Sequence, residues 1–380
     1  MPAYDLIVLG LGAMGSAAAY HAARRGQRVL GLDAHERRHT LGSSHGRSRM
    51  IREAYYEAPE YVPLVRRAYA LWRELEADSG RGLLTITGGL YFGPPESGLV
   101  DGVLRSAREH GLAHDFLRPP EVAARFPAFR LADDQVAVYE ANAGILEPEA
   151  CVEAHLNLAA RHGAELHHSE PVTRWTADDS GVRVETERGG YTAGRLVIAA
   201  GPWTSELLAE LDLPLVVWRL VNAHFEPTRP EPFSPDRCPV YLWQGREGVY
   251  GGFPALPGQG VKFGRHDIGE ACTPRIIRRE IEDSEIEELR EVLERYLPGA
   301  AGPLKWALTC MYTMTPDHHF ILDRHPRHER VVYACGFSGH GFKFASVIGE
   351  VLADLAIDGS TRHPIAFLSA ARFAAPTPAR

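Results

Sequence analysis

The sequence is poor in cysteine and contains no long apolar run, and both absences narrow what it can be. Its five cysteines (Cys151, Cys238, Cys272, Cys310 and Cys335) form an odd, scattered set without a Cys-x-x-Cys pair, which argues against a disulfide framework and against a thiolate zinc site. No stretch approaches the roughly 18 to 20 apolar residues that cross a bilayer, so no membrane association is expected. The N-terminus, Met1-Pro-Ala-Tyr-Asp5, has no basic segment ahead of its short apolar run, and the protein is expected in the cytoplasm. Basic residues are outnumbered, 41 against 49 acidic, for a net charge of −8. Such a balance gives no attraction to nucleic acid, and any cationic site has to be local. The histidine pairs 167–168 and 318–319 are adjacent, so their side chains diverge on a regular element; with no carboxylate or cysteine at proper spacing, no metal is expected. Internal repeats and low-complexity tracts are also missing, and only Pro376–Arg380 reads as a loose tail.

What is present starts at the first strand. Asp5-Leu-Ile-Val-Leu-Gly10 is a short apolar run of buried-strand type, and Gly10-Leu-Gly12-Ala-Met-Gly15 turns directly into the alanine-rich stretch Ser16–Arg25. Gln27–Asp33 reads as a second parallel strand ending in an acid 18 positions after Gly15. Gly10 permits the tight turn, Gly12 lets backbone approach a pyrophosphate, and Gly15 allows close helix packing. The amides around Ala13 and Met14 open the helix, where the dipole favours phosphate, and Asp33 is placed to accept from a ribose. Strand, glycine turn, helix and spaced acid together point to dinucleotide binding; a turn with no ligand is the alternative.

Further along, Gly181–Glu187 and Arg195–Gly201 read as a second set of Rossmann-like strands, and Glu149–His162 as a helix between them and the N-terminal unit. Residues 83–147 and 217–304 are richer in aromatics and prolines, with alternating segments such as Val249–Phe253 and Gly260–Gly264. The expected fold is α/β: a discontinuous Rossmann-like nucleotide domain (1–82, 148–216 and 305–380) and a second, mostly antiparallel β-sheet domain (83–147 and 217–304). Ser284-Glu-Ile-Glu287 reads as a capping box for a helix presenting Ile286, Leu289, Leu293 and Leu297.

Three further segments, with the glycine turn, carry a resemblance: Gly42-Ser-Ser-His-Gly-Arg-Ser-Arg-Met-Ile-Arg52, Cys310-Met-Tyr-Thr-Met-Thr-Pro-Asp-His-His-Phe320 and Gly336-Phe-Ser-Gly-His-Gly-Phe-Lys-Phe344. Over essentially its whole length the chain resembles the monomeric sarcosine oxidase family, whose relatives include N-methyltryptophan, pipecolate and fructosyl-amino-acid oxidases. The resemblance implies the FAD-binding fold of the glutathione reductase and D-amino-acid oxidase type, FAD rather than NAD, a covalent bond from Cys310 to the flavin 8α-methyl group, and a monomer. By its residues alone Cys310 reads as a buried structural thiol. The resemblance further implies that Ser43, Ser44, His45, Arg49, Gly339, Gly341, Phe342 and Lys343 lie at the cofactor, with His45 and Arg49 tuning it. His45 and Arg49 each also read as a satisfied core polar residue.

The chemistry asks for cations. Oxidising an amino acid's C–N bond requires a grip on the carboxylate, a free amine lone pair and stabilisation of negative charge. Arg52 offers a planar fork and Lys343 a point charge, and the matching family positions form the carboxylate clamp. Lys262 alternates with Val261 and Phe263, so it points away from them into a cavity; the family assigns the matching lysine to oxygen activation, whereas alone it reads as an exposed edge-strand lysine. His266 and Tyr312 match residues near the substrate. The strand Tyr250-Gly-Gly-Phe-Pro254 departs from the sarcosine-specific pattern by putting Gly251 where an aromatic stands, and Arg265 likewise replaces an aromatic. Gly251, with Leu242 beside it, is expected to enlarge the pocket. The expected activity is a flavin oxidase of secondary amino acids that consumes O2 and yields an imine and hydrogen peroxide. A fructosyl-amino-acid or pipecolate oxidase, a dehydrogenase with another acceptor, and a non-catalytic dinucleotide-binding or tRNA-modifying protein are the alternatives.

Overall fold

Leu6 to Leu9 are apolar without alternation because the strand Tyr4–Leu9 runs through the middle of a sheet covered on both faces. The structure, a computed structural model, describes residues 3–374; the tail expected at Pro376–Arg380 lies outside the described residues. Gly10 turns the chain at φ +86° into the helix Ala13–Arg24. A side chain at Gly15 would put its Cβ 1.7 Å from the Gly10 carbonyl oxygen, so only glycine lets the helix start so close to the strand.

The strand Tyr4–Leu9 pairs in parallel with Val29–Leu32 on one side and Gly189–Ile198 on the other. His328–Cys335 extends this parallel core beyond Gly189–Ile198, and Glu165–His167 beyond Val29–Leu32. The helices Ala13–Arg24, Pro148–Arg161 and Ala345–Ile357 pack together in one apolar cluster. The reading of Gly181–Glu187 as a Rossmann-like strand needs correction. Gly181–Thr186 is the middle strand of an antiparallel meander with Val172–Asp178 and Gly189–Ile198, and its alternating burial is that of a half-exposed antiparallel strand.

A second sheet of nine strands is antiparallel except where Val240–Gly245 runs parallel to Gly89–Gly93. The expected boundary between residues 304 and 305 is not a boundary between sheets. Leu304–Met314 pairs along its length with Val216–Phe225 of the second sheet, so Cys310 belongs to that sheet. A small third sheet of Arg49–Ile51, Gly144–Leu146 and Leu84–Ile86 links early and middle segments of the chain.

The two faces of the nine-stranded sheet differ in character. Val261, Phe263, Ala223 and Phe225 face a helix, Asp283–Tyr296, and form one core with its Ile286, Leu289, Val292 and Leu293; each of these side chains except that of Ala223 contributes about 1.5–3 kcal/mol by leaving water. The N-cap lies two residues before the expected one. Glu282 is the N-cap, and its reciprocal partner is Glu285, because Asp283 and Ser284 already have helical geometry. The opposite face, on the other phase of the period-two alternation, looks toward the first sheet.

Candidate active site

A cavity of about 460 Å³ runs from the glycine turn past Asp33 to Arg49, Cys310 and Phe342. Asp33 is fixed at one end: its carboxylate accepts from the Leu11 amide at 2.7 Å and the His35 amide at 2.9 Å. Ser44 accepts from the Ala13 amide at 3.0 Å, and Ser43 donates to the Met311 carbonyl at 2.8 Å. Both serines thereby join the Gly42–Arg52 loop to the helix start and to the Cys310 strand. Gly12, Ala13 and Met14 line the cavity, and a Cβ at Gly12 would touch only Ser44 Oγ, at 3.2 Å. Among the described residues His45 Nδ1, a buried atom, has no hydrogen-bond partner, and its ring also lines the cavity. An orphaned ring nitrogen, a helix start whose N-cap is a glycine without a side chain, and a carboxylate at the far end fit the adenosine, pyrophosphate and ring system of FAD.

At the ring end, Arg49 holds the loop together by donating to the carbonyls of Ser43 at 3.0 Å and Ser48 at 2.8 Å, and its Nη2 lies 3.9 Å from Cys310 Sγ. His45 Nε2 sits 3.2 Å from the Thr309 carbonyl. Burial, and then the Arg49 charge, push His45 down to about 4, so its ring is neutral near pH 7.

Cross-strand register explains why residues far apart in sequence meet. Phe253, Lys262, His224 and Trp306 lie in one row across the strands, and Leu242, Gly251, Gly264, Asn222 and Leu308 in the next. Leu220 and Cys310 follow, then Trp218 and Tyr312. Side chains directly opposite on paired strands share a face, so Lys262, Gly251, Leu242, Cys310 and Tyr312 lie on one face, and of these Cys310 and Tyr312 line the nucleotide cavity. Lys262 is 4% exposed and donates to the Gly46 and Ser48 carbonyls at 3.0 Å each and to Ser48 Oγ at 3.3 Å. Burial and then Arg49 push its pKa well down, while three acceptors suit the three hydrogens of an ammonium.

A second cavity of about 110 Å³ shares Arg49, Cys310, Tyr312, Gly339 and Phe342 with the first. Arg52, Lys262, His266 and Lys343 line it. His266 Nδ1 is 3.2 Å from the Tyr312 hydroxyl; burial lowers His266 to about 4 and raises Tyr312, so the pair is neutral. Gly339 is required beside it: at φ +79°, its Cβ would fall 2.3 Å from the Tyr312 ring. Gly341 and Phe342 close the same wall. Lys343 donates to the His340 carbonyl at 2.6 Å and is held down in pKa by burial and Arg52. Gly251 and Leu242 both line this chamber, and a Cβ at Gly251 would lie 3.0 Å from Leu242 Cδ2, so any side chain there requires Leu242 to shift.

Arg52 is the residue whose setting the sequence did not reveal. Only 2% exposed, it donates through Nη2 to both oxygens of Glu57 at 2.6 Å and lies over the rings of Tyr55 and Tyr56 at 4.2 and 4.8 Å. Tyr55 is in turn hydrogen-bonded to His340 Nδ1. Glu57 and Tyr55 were missed because an acid five residues after an arginine on an irregular loop has no periodicity to read. His340 stands inside a glycine-rich segment that drew attention for its backbone alone. Among the described residues no group of three or more His, Cys, Asp or Glu side chains could hold a metal ion, and no helix is long and apolar enough to cross a membrane.

Comparison with known proteins agrees with this geometry. A family model described as FAD dependent oxidoreductase matches residues 5–355. The chain is 47% identical over 379 residues to a monomeric sarcosine oxidase of Streptomyces avermitilis, covering 98% of this chain and 99% of that protein. It is 37% identical over 373 residues to an N-methyl-L-tryptophan oxidase of Salmonella arizonae, covering 97% and 99%. Among solved structures, NikD, an amino acid oxidase essential for nikkomycin biosynthesis, aligns with a TM-score of 0.86 at 27% identity, over 96% of this chain and 97% of that one. With a dinucleotide cavity opening onto a cation-lined chamber, and with matches that span nearly the full length, the chain belongs to the FAD dependent oxidoreductase family, in its monomeric sarcosine oxidase branch.

Proposed function

We propose that this protein oxidises the C–N bond of secondary amino acids, sarcosine or a bulkier N-substituted glycine, to an imine that hydrolyses, while O2 becomes hydrogen peroxide. One observation carries the reading: Arg52, Lys343 and Lys262, three buried cations in an acidic protein, converge on a chamber that shares Cys310 with the dinucleotide cavity. We assign FAD binding to 1–82, 148–216 and 315–380 and the substrate wall to 83–147 and 217–314, with the protein acting as a monomer in the cytoplasm.

FAD, when bound, supplies an acceptor for the two electrons leaving the substrate C–H bond and their later donor to dioxygen. Gly10, Gly12, Ala13, Met14, Gly15 and Asp33 would hold its nucleotide end, and Ser43, Ser44, His45, Arg49 and the 339–342 segment its ring. Cys310 would be the point of covalent attachment, through its Sγ to the 8α carbon. Arg52 and Lys343 hold the substrate carboxylate, which for Arg52 means exchanging Glu57 for the ligand. Their charges also disfavour a second ammonium nearby, so the amine binds with its lone pair free. His266 and Tyr312, both neutral, orient that amine without competing for its proton. Lys262 places positive charge where negative charge builds on dioxygen.

Acid precipitation and oxygen uptake test this reading. A yellow pellet with a colourless supernatant, and peroxide formed in step with amine consumed, are expected. Reduction of a dye with no oxygen uptake would instead favour a dehydrogenase.

A further inference from the structure

Beside Lys262 the same face of the sheet carries polar side chains that the reaction leaves unused. His224 pairs across the strands with Lys262 on one side and Trp306 on the other and is 0% exposed. Its Nδ1 lies 3.1 Å from the Gln259 carbonyl oxygen. A carbonyl only accepts, so Nδ1 carries the hydrogen and Nε2 is a bare acceptor. The ring stacks on the Trp306 indole, with centroids 3.7 Å apart and 18° between planes. Burial and the Lys262 charge push His224 down to about 3, so this acceptor stays neutral at working pH.

Among the described residues, three buried atoms in this cluster have no protein partner: His224 Nε2, Trp306 Nε1 and Gln259 Oε1. Leaving each unpaired is unfavourable, and buried groups of this kind take water in folded proteins. The cluster reaches the surface in two places. Pro257 and Gly258 beside Gln259 are exposed, and so is Arg47, whose guanidinium lies 4.9 Å over the Trp306 ring. Inward, it ends at Lys262, whose hydrogen bonds go to uncharged acceptors. Among the described residues no carboxylate lies within ion-pair distance of Lys262 to hand it a proton.

We propose that His224, Trp306 and Gln259 hold a short chain of water that carries protons from the surface at the Pro257–Gln259 turn to Lys262. The inference rests on the reading of Lys262 as the place where dioxygen reacts. Oxidising a secondary amine to an imine releases two electrons and two protons, and reducing dioxygen to hydrogen peroxide consumes two of each. Hydride transfer moves both electrons with one proton. The second proton leaves the amine nitrogen on the substrate side, so an equivalent proton has to enter on the oxygen side. Lys262 donates it and is reprotonated through the chain, with His224 Nε2 and Gln259 Oε1 accepting from water and Trp306 Nε1 donating to it.

Two measurements on the flavin-loaded enzyme test this. The first is hydrogen–deuterium exchange of the tryptophan indole N–H groups by NMR, with Trp306→Phe identifying the signal. Trp72 is the internal standard, since its Nε1 donates to the Lys343 carbonyl at 2.8 Å. Water connected to solvent makes Trp306 exchange about 100-fold or more faster than Trp72; exchange as slow as that of Trp72 overturns the proposal without any variant having to fold. The second separates the half-reactions. In His224→Phe, which keeps a stacking ring but loses the acceptor, anaerobic flavin reduction by the amine should hold its rate while reoxidation by dioxygen falls roughly 100-fold. His224→Gln, which restores an acceptor, should recover most of it. Reoxidation of His224→Phe at the unmodified rate refutes the relay. Failure of anaerobic reduction in the unmodified enzyme refutes the amine oxidase reading instead.

Discussion

Replacing Glu57 by glutamine separates the two things Arg52 does. In the structure the Arg52 guanidinium is buried and committed to both Glu57 oxygens, yet it has to release them if it is to hold a substrate carboxylate. Burial alone would raise the Glu57 carboxyl, but Arg52, His340 and Lys343 outweigh it and lower it from 4.5 to about 2, which corresponds to about 3 kcal/mol. Breaking one side of a buried ion pair costs about 3–5 kcal/mol by general experience, so the two estimates agree. Glu57→Gln should therefore lose about 3 kcal/mol of stability, seen as a drop of several degrees in Tm. A ligand carboxylate that re-pairs Arg52 recovers this energy, so acetate, which cannot be oxidised, should bind up to about 100-fold more tightly to the variant. Melting curves with and without acetate read both effects: a large gap between the two proteins without ligand, closing at saturation. The pH dependence has a definite sign. A depressed carboxyl contributes stability that is complete above 4.5 and is lost as the pH falls toward 2, and Glu57→Gln should lack that step. Unchanged acetate affinity in the variant would show that Arg52 does not grip the substrate, and the proposed clamp would reduce to Lys343.

Lys262→Met should leave anaerobic flavin reduction within about threefold and slow reoxidation by roughly 100-fold, since one buried charge near developing superoxide accounts for about 3 kcal/mol; equal slowing of both steps in stopped-flow would contradict its role. Cys310→Ser should move the yellow colour from the acid pellet to the supernatant. Gly251→Tyr should fill the roughly 110 Å³ chamber from the Leu242 side and cut kcat/KM for bulky N-substituted glycines about tenfold more than for sarcosine; an equal loss for both would place Gly251 outside the substrate pocket. Burial, the first cause in each case, lowers His21, His45 and His266 to about 4 and His224 and His340 to about 3. The unfolded chain thus takes up protons below about pH 6.5 that the folded chain refuses, and stability falls as pH drops from 6.5 toward 4. Urea midpoints at pH 7.5 and 5.5 measure this; equal midpoints would contradict it.

What could be read from the residues alone was whatever one local rule determines. The strand–glycine–helix unit at 4–24 is legible because Gly10 and Gly15 have steric work that no other residue can do. The orientation of Lys262 is legible because a strand has period two and its neighbours Val261 and Phe263 are apolar. Long-range pairing was not legible. Nothing in Leu304–Met314 says that it joins Val216–Phe225 rather than the nucleotide sheet, since parallel-core and antiparallel strands of β-branched and aromatic residues look alike. For the same reason the row containing Lys262, His224 and Trp306 emerges only from the register, 38 positions separating Lys262 from His224 and 82 separating His224 from Trp306. Arg52 shows a third limit. Its side-chain type identified a carboxylate grip, but not that a carboxylate of the same chain already occupies it.

The partners chosen for the three cations explain how an acidic protein keeps positive charge where it is useful. Lys262 is held by the Gly46 and Ser48 carbonyls and the Ser48 hydroxyl, and Lys343 by the His340 carbonyl. Such dipoles satisfy N–H donors without cancelling the net charge, so the field of each ammonium remains available to a substrate carboxylate or to reduced oxygen. A carboxylate partner would have neutralised it. Arg52 alone has an acid partner, and Glu57 stands on the short irregular segment between the strand Arg49–Ile51 and the turn Pro59–Tyr61, so its charge is exchangeable rather than permanently spent. The chamber therefore holds two lysines with neutral partners and one arginine whose acid partner a ligand can compete for. Under the proposed clamp, substrate affinity is set by the difference between two carboxylates at Arg52, which moderates binding.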